Sequence, residues 1–430
     1  MRRALAVLLC ALALCACGDD AVAGDSPATG GPRTDAGRQR DAARPDASAH
    51  DHEIFSGDLY LCGFDDDDVL QRPGHAERTE VAIATDESGF GLVYQDETGS
   101  LFIDAIDALG GAQEPVRVVP SGAEVEAAAL AANRDGFLLA YRSGTRLHAR
   151  SLAGGAASAE PTALSETLSP AQGGEPFALL ALSDGFVLAA LETGADGDAV
   201  RVQRLGRDGQ PAGEPRALPE IAALAPLDLH LATLGGGRVL LSYFARDSTG
   251  EGRVYGVPLS AELEPEGAPE ALSRHSVSEA RFDLAARAQS AGLIYQAKDG
   301  GLRDAIKFRR IEARGSSTQA VLNVVDAPGR AVAGSIAAFG QGYAVAFREL
   351  PSLGVEKATV RIAFVDQFGH IVHEAEIAET TEAGGRTTIS ATADGHVLVG
   401  YTSLWPAAAT THAVKLHCPG ALVLCGGAVE

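Results

Sequence analysis

The chain repeats itself seven times, and that repetition limits the folds open to it more than any other feature. In each copy a segment of small and apolar residues runs into a Gly-containing turn. An apolar stretch follows that closes on an aromatic residue or a leucine. The copies span 81–94, 127–141, 177–191, 227–243, 282–295, 335–347 and 388–401. Their closing residues, Tyr94, Tyr141, Leu191, Tyr243, Tyr295, Phe347 and Tyr401, are 47, 50, 52, 52, 52 and 54 residues apart. A polar loop comes next, and then a second alternating run, as in 147–152, 200–205, 305–309 and 360–364. Side chains that alternate with period two mark a half-buried antiparallel strand. A further turn and a weaker segment, such as 114–119, complete each unit at about four strands.

Helices are excluded, because the apolar residues alternate rather than recur at three and four, and Gly-rich turns interrupt every run. Four antiparallel strands repeated at this period resemble the β-propeller, whose blades bury their faces only against one another. The expected fold is therefore all-β, a seven-bladed β-propeller of four-stranded antiparallel blades. Six or eight blades, or a string of small β-sandwiches, are the alternatives. The first strand of each copy is poor in bulk, as in 127–132 and 389–393, which suits an innermost strand crowded around an axis. No named repeat family fits: the WD40, Asp-box and kelch types need an aromatic residue or tryptophan in every blade, whereas Trp405 is the only tryptophan here.

The amino terminus reads as an export signal. Arg2 and Arg3 supply a positive start, and 4–14 is an unbroken apolar run of eleven residues. That is the length of a signal core and well short of the ~20 residues of a spanning helix. Leu14-Cys15-Ala16-Cys17 follows and resembles the bacterial lipobox, with Cys15 departing from the usual small residue. The resemblance implies a bacterial lipoprotein, with 1–16 as signal peptide and Cys17 as the acylated residue. Cleavage nearby without a lipid is the alternative. Gly18 stands where some enteric-type systems place an Asp for inner-membrane retention, which favours the outer membrane. Residues 17–53 form the lipidated cysteine and a linker of Ala, Asp, Gly, Pro, Arg and Ser that cannot bury a core and is expected to be disordered. His50 and His52 read as polar spacer within it. The propeller domain takes up 54–430.

Three cysteines remain at the two ends of that domain: Cys62, Cys418 and Cys425. A ring must join its first and last blades. The segment 58–62 is expected to pair within the last blade, with Cys62 bonded to Cys418 or Cys425 in the oxidising compartment that export implies. A Cys418–Cys425 bond is the competing pairing.

The formal net charge of −22 argues against a nucleic-acid partner. Catalytic signatures are lacking: there is no Gly-x-Ser-x-Gly elbow, no His-Glu-x-x-His, no phosphate loop and no Cys-x-x-Cys. Asp65, Asp66, Asp67 and Asp68 form the densest acidic run. A Ca²⁺ ion would relieve their repulsion, yet the run lacks the spacing of a calcium loop and reads as a solvated turn. The carboxylates at 196–198 and 247–251 read as hairpin tips, and His148, His412 and His417 as structural strand residues. No catalytic residue and no cofactor is assigned. The expectation is a monomeric, exported, membrane-tethered binding or interaction protein whose propeller loops and central channel take an unknown protein or glycan. The alternative is an exported propeller hydrolase acting on glycans or lactones. Channel walls of Ala, Ser and Thr would favour binding, and carboxylates converging there with an Arg or His would favour catalysis.

Overall fold

The computed structural model describes residues 52–418 apart from 57–58, 65–67, 75–81, 87–88, 108–110, 123–124, 154–155, 159, 170–174, 195–196, 223, 289, 300–302, 313–321, 324–329, 351–356, 381–386 and 404–408. The signal segment, Cys17, the linker up to residue 51, Asp65, Asp66, Asp67 and Cys425 lie outside the described residues.

Seven antiparallel sheets follow one another along the chain, each spanning one of the seven copies. Their inner strands are Ala82–Thr85, Val125–Asn133, Phe177–Leu182, Asp228–Gly235, Val277–Arg287, Arg330–Phe339 and Thr387–Ala391. Each inner strand packs beside the inner strands of the blades before and after it, and the seventh returns to the first, so the ring is closed. The protein is a seven-bladed β-propeller, as the repeat predicts. Numbered from blade 1 (first strand Ala82–Thr85) to blade 7 (first strand Thr387–Ala391), the blades occupy the copies in order.

The sequence pattern follows from this stacking. The second strand of a blade is covered on both faces, so it is apolar without alternation; in Arg238–Arg246 the seven residues from Val239 to Ala245 are all buried. The third strand is covered less and alternates, as in Gly252–Leu259. The recurring turn glycine has a steric cause. Gly136, at φ +131°, opens the second strand of blade 2 with its Cα against the carbonyl oxygen of Leu152, where a Cβ would collide. Gly185 and Gly342 meet Leu205 and Val365 in the same way.

Seven apolar clusters occur among the described residues, and each joins two neighbouring blades. The cluster between blades 7 and 1 is the smallest: Phe90, Leu92, Tyr94 and Ile106 meet only Leu398 and Ala413 as fully buried partners. Additional ties concentrate at this seam. Val69–Pro73 pairs antiparallel with Thr410–His417, from Val69↔Val414 to Pro73↔Thr410, and becomes the fourth strand of blade 7. From that strand Arg72 donates to the wholly buried Asp104 of blade 1 at 2.7 Å. Burial pushes the Asp104 carboxyl up, against the guanidinium's opposing pull.

The segment after residue 58 joins the last blade's sheet as expected from sequence, but it is not the main closing strand. Segment 59–64 forms a hairpin with 52–56 and pairs with the last blade's third strand at Gly63↔His417. Val69–Pro73 takes the full edge position instead, because its alternation of half-exposed Leu70 and Arg72 with Gln71, ending on Pro73, suits a strand with one free edge. Cys62 is bonded to Cys418, 356 positions away in sequence. Both cysteines are buried in the cluster between blades 6 and 7.

On the loop-entropy account a bridge closing so long a loop restrains the unfolded chain by about 5 to 6 kcal/mol, and measured cases fall at or below this. Cys62→Ser with Cys418→Ser is therefore expected to lower the unfolding free energy by roughly 2 to 5 kcal/mol. Guanidinium denaturation with and without reductant measures the loss. A Cys418–Cys425 peptide in an unreduced digest would contradict the assigned pairing.

Candidate functional site

The inner strands of all seven blades line one central cavity of about 310 Å³. Strand register sets which residues meet at one level of it. In six blades the residue paired with the position just before the closing residue of the copy lines the cavity. These are Ala82, Ala129, His230, Asp283, Ser335 and Thr388. Blades 1, 2, 6 and 7 thus present small or hydroxyl side chains, and blades 4 and 5 present charge. One step along the same strand faces, blade 4 adds Asp228 and blade 5 adds Arg281, because residues two apart on a strand share a face. The inner strands of blades 5 and 6 carry irregular register between Val277 and Phe282 and between Val332 and Ser335. Such bulges re-aim the side chains beside them.

His230 lies between two carboxylates. Its Nε2 is 3.4 Å from Asp228 Oδ2, and its Nδ1 is 3.3 Å from Asp283 Oδ1. The Phe282 ring holds the imidazole from the side, with ring centroids 4.4 Å apart. Asp228 Oδ1 accepts from the backbone N–H of Glu175 in the chain leading into blade 3, at 2.7 Å. Asp283 accepts from the Leu284 N–H at 2.8 Å, the Ser335 hydroxyl at 2.7 Å and the Ile336 N–H at 3.0 Å. The polar seam therefore stitches the inner edges of blades 3, 4, 5 and 6.

Burial alone would lower the basicity of His230, but Asp228 and Asp283 outweigh it and push its pKa up to about 10. For Asp283 burial would raise the carboxyl; hydrogen bonding and charge from His230, with the Ile336 and Ser335 donors, bring it below the usual range. At neutral pH the histidine is a cation and Asp283 an anion. Asp228 is 1 % exposed at its side chain, and its Oδ2 and the Nε2 of His230 have no hydrogen-bond partner among the described residues.

The residues singled out from sequence fall elsewhere. His148 stacks on Tyr141 at 5.3 Å. His412 stacks on Tyr401 and contacts the Ser403 hydroxyl at 2.7 Å, and burial lowers its pKa. His417 Nδ1 lies 3.2 Å from His396 Nδ1. Asp247 folds back on Thr249 and Glu251 in the hairpin between Arg238–Arg246 and Gly252–Leu259. Asp68 is half-buried just before the closing strand and bears electrostatically on His396. No group of three or more His, Cys, Asp or Glu among the described residues is placed to hold a metal ion. Sequence reasoning missed Asp228, His230, Arg281 and Asp283. Matching the copies through their closing residues exposes His230 and Asp283, which stand where four other blades carry Ala82, Ala129, Ser335 and Thr388.

No protein-family model matches the chain, and no curated protein matches it. Solved structures do. The BP39L lectin from Burkholderia pseudomallei superimposes with a TM-score of 0.55 at 15 % identity, covering 76 % of this chain and 94 % of the lectin. AofleA from Arthrobotrys oligospora gives a TM-score of 0.46 at 12 % identity over 74 % of this chain and 94 % of its own. The polysaccharide lyase Uly1 gives 0.45 at 9 % identity over 79 % and 90 %. At such identity the likeness to the lectin is one of fold, and it extends over nearly the whole of that protein.

Proposed function

We propose that this chain is an exported lipoprotein, acylated at Cys17 and held at the outer membrane, that binds a protein or glycan ligand through its propeller face and central channel without transforming it. The observation that carries the reading is the Asp228–His230–Asp283 seam in the channel wall. Fixed charges there can orient a ligand, but an imidazolium with a pKa near 10 and a carboxylate held below its usual range do not exchange protons at neutral pH. Hydrolysis of a glycosidic bond asks for the opposite arrangement, an acid whose pKa is raised toward the working pH.

A specific observation favours the second reading, an exported hydrolase acting on glycans or lactones: Asp228, Asp283, His230 and Arg281 all line the cavity. The two readings separate in one experiment on the purified chain. Binding predicts retention on a glycan or cell-envelope panel that His230→Gln weakens about tenfold or more, with no product released from glycosides or lactones. Release of product that is lost in His230→Gln would establish the hydrolase.

Anchoring is tested by growing cells with labelled palmitate. Label is expected on the chain and absent from Cys17→Ala, with the labelled protein in the outer-membrane fraction. Label surviving in Cys17→Ala would refute the assignment.

The seam also sets a pH dependence. The His230 pKa is higher folded than unfolded, so its contribution is complete below about 6.5 and lost as pH rises through about 10. Asp283 is lower folded than unfolded, so its contribution holds above about 4 and is lost as pH falls through the depressed value. Between pH 6.5 and 10 the wild-type chain is expected to lose on the order of 3 kcal/mol more stability than His230→Gln, read from chemical denaturation at each pH. Equal losses would contradict the assigned charge state.

A further inference from the structure

A further cavity, of about 430 Å³, opens between blades 2 and 3, away from the inner strands. Blade 3 gives it one wall by register. Leu188, Ala190 and Glu192 alternate along that blade's second strand, Gly185–Gly194, and so share a face. Gln203 and Arg201 stand opposite Leu188 and Ala190 on its third strand, Gly197–Leu205, and present the same face. The last strand of blade 2, Thr162–Ser165, and the two residues after it form the facing wall. Leu188 and Ala190 belong to the apolar cluster between these blades and Leu164 packs against it, so the floor is apolar. Glu192, Arg201 and Gln203 rise from that floor half-exposed.

Arg201 Nε lies 2.6 Å from Glu192 Oε2, with the two side chains 42 % and 16 % exposed. That pairing leaves the terminal amino groups of Arg201 and the second oxygen of Glu192 without a partner among the described residues, next to each other and reachable from solvent. Gln203 donates through Nε2 to the Gly213 carbonyl at 3.0 Å, and its amide oxygen remains an acceptor. Arg201 offers donors only, and Glu192 acceptors only. Two hydroxyls on neighbouring carbons satisfy both from one edge, one accepting from the guanidinium and the other donating to the carboxylate. A trans peptide group also has a donor and an acceptor, but it points them in opposite directions. A carboxylate ligand has no hydrogen to give and would face Glu192 and Glu166 as like charges. An ammonium cannot accept from Arg201 and would face its charge.

We propose that this cleft binds one unit of a neutral saccharide, with vicinal hydroxyls held by Arg201 and Glu192 and the carbon face of the ring laid against Leu164, Leu188 and Pro215. The volume of about 430 Å³ lies within the ~300–1,000 Å³ of small-molecule sites and accommodates such a unit. Ala163, Thr167 and Pro215 are exposed at its mouth, so a longer glycan can continue into solvent. The cleft shares no lining residue with the channel and stands apart from the reading given for that site.

Calorimetric titration of the full chain with the methyl glycosides of galactose, glucose and mannose, with galacturonate and galactosamine, and with a capped alanine tripeptide tests it. A neutral glycoside is expected to bind most tightly. Losing hydrogen bonds to a charged group costs about tenfold in affinity, so Arg201→Met should weaken that binding by this factor or more. Because Arg201→Met also strips Glu192 of its partner, Ala163→Ile serves as a second variant. Position 163 is exposed, isoleucine suits its strand, and the added bulk narrows the cleft from the wall opposite the Glu192–Arg201 pair. It should weaken binding to a similar degree. Tighter binding of galacturonate, galactosamine or the tripeptide, sensitive to Ala163→Ile, would overturn the saccharide assignment. Sugar binding that is lost in His230→Gln and kept in both cleft variants would place the ligand in the channel, overturning the cleft site while leaving the channel reading intact. Titration of no ligand at all would also overturn the cleft site, and retention of a glycan or envelope component that His230→Gln weakens would then still support the channel.

Discussion

No blade of this protein has a core of its own. Each of the seven apolar clusters is shared across a boundary, as where Leu240 and Phe244 of blade 4 pack with Phe282 and Leu293 of blade 5. Removing a blade would expose a face of each neighbour, and the hydrophobic term grows with the area left in water. Stability of such a ring is collective, and its weakest point is where chain connectivity gives no help. Every other boundary is crossed by the chain itself. The one between blades 7 and 1 is crossed only by a strand borrowed from the amino-terminal side. It is also the boundary with the fewest buried apolar residues. Val69–Pro73 and the Arg72–Asp104 pair span this boundary, and the Cys62–Cys418 bond fastens the same amino-terminal segment to blade 7 from its other face.

Closure has a second consequence at the axis. The carboxylates and imidazole of the channel come from different blades, and their partners do too: Asp228 is held from the entry to blade 3, and Asp283 from blade 6. Taken singly, each charge would be costly to desolvate. Held together they offset one another, but only while the inner strands keep their spacing. Packing between blades thus fixes the seam, and the seam in turn ties four blades at their inner edges. A buried network of this kind contributes specificity of arrangement more than net stability.

Most of the fold was legible because it depends on local pattern repeated often enough to be recognised. Blade count, strand order and the small inner strands all follow from residues such as Ala127–Ala132 and the turn at Gly136, read seven times over. What escaped was set by geometry between copies. Val69–Pro73 is a five-residue run of two aliphatic residues followed by Gln, Arg and Pro, and nothing local distinguishes an edge strand of the last blade from a loop. The apolar segment 59–64 looked the better strand, and it does form one, though mainly in its own hairpin. The channel residues escaped for a similar reason. Asp228 and His230 share a strand face and were readable as a pair, but Asp283 joins them only through the curvature of the ring.

The protonation state of that cluster also explains why a count of carboxylates around an axis is a poor guide to catalysis. Asp228, His230, Arg281 and Asp283 satisfy such a count. Pairing, however, drives His230 and Asp283 toward their charged forms, and a group locked in one form across the physiological range is a hydrogen-bonding fixture. Catalysis by proton transfer needs the reverse, a partner withheld so that a pKa lies near the working pH. In this channel His230 lies between Asp228 and Asp283, at 3.4 and 3.3 Å, and the pairing that fixes their arrangement also fixes their charge.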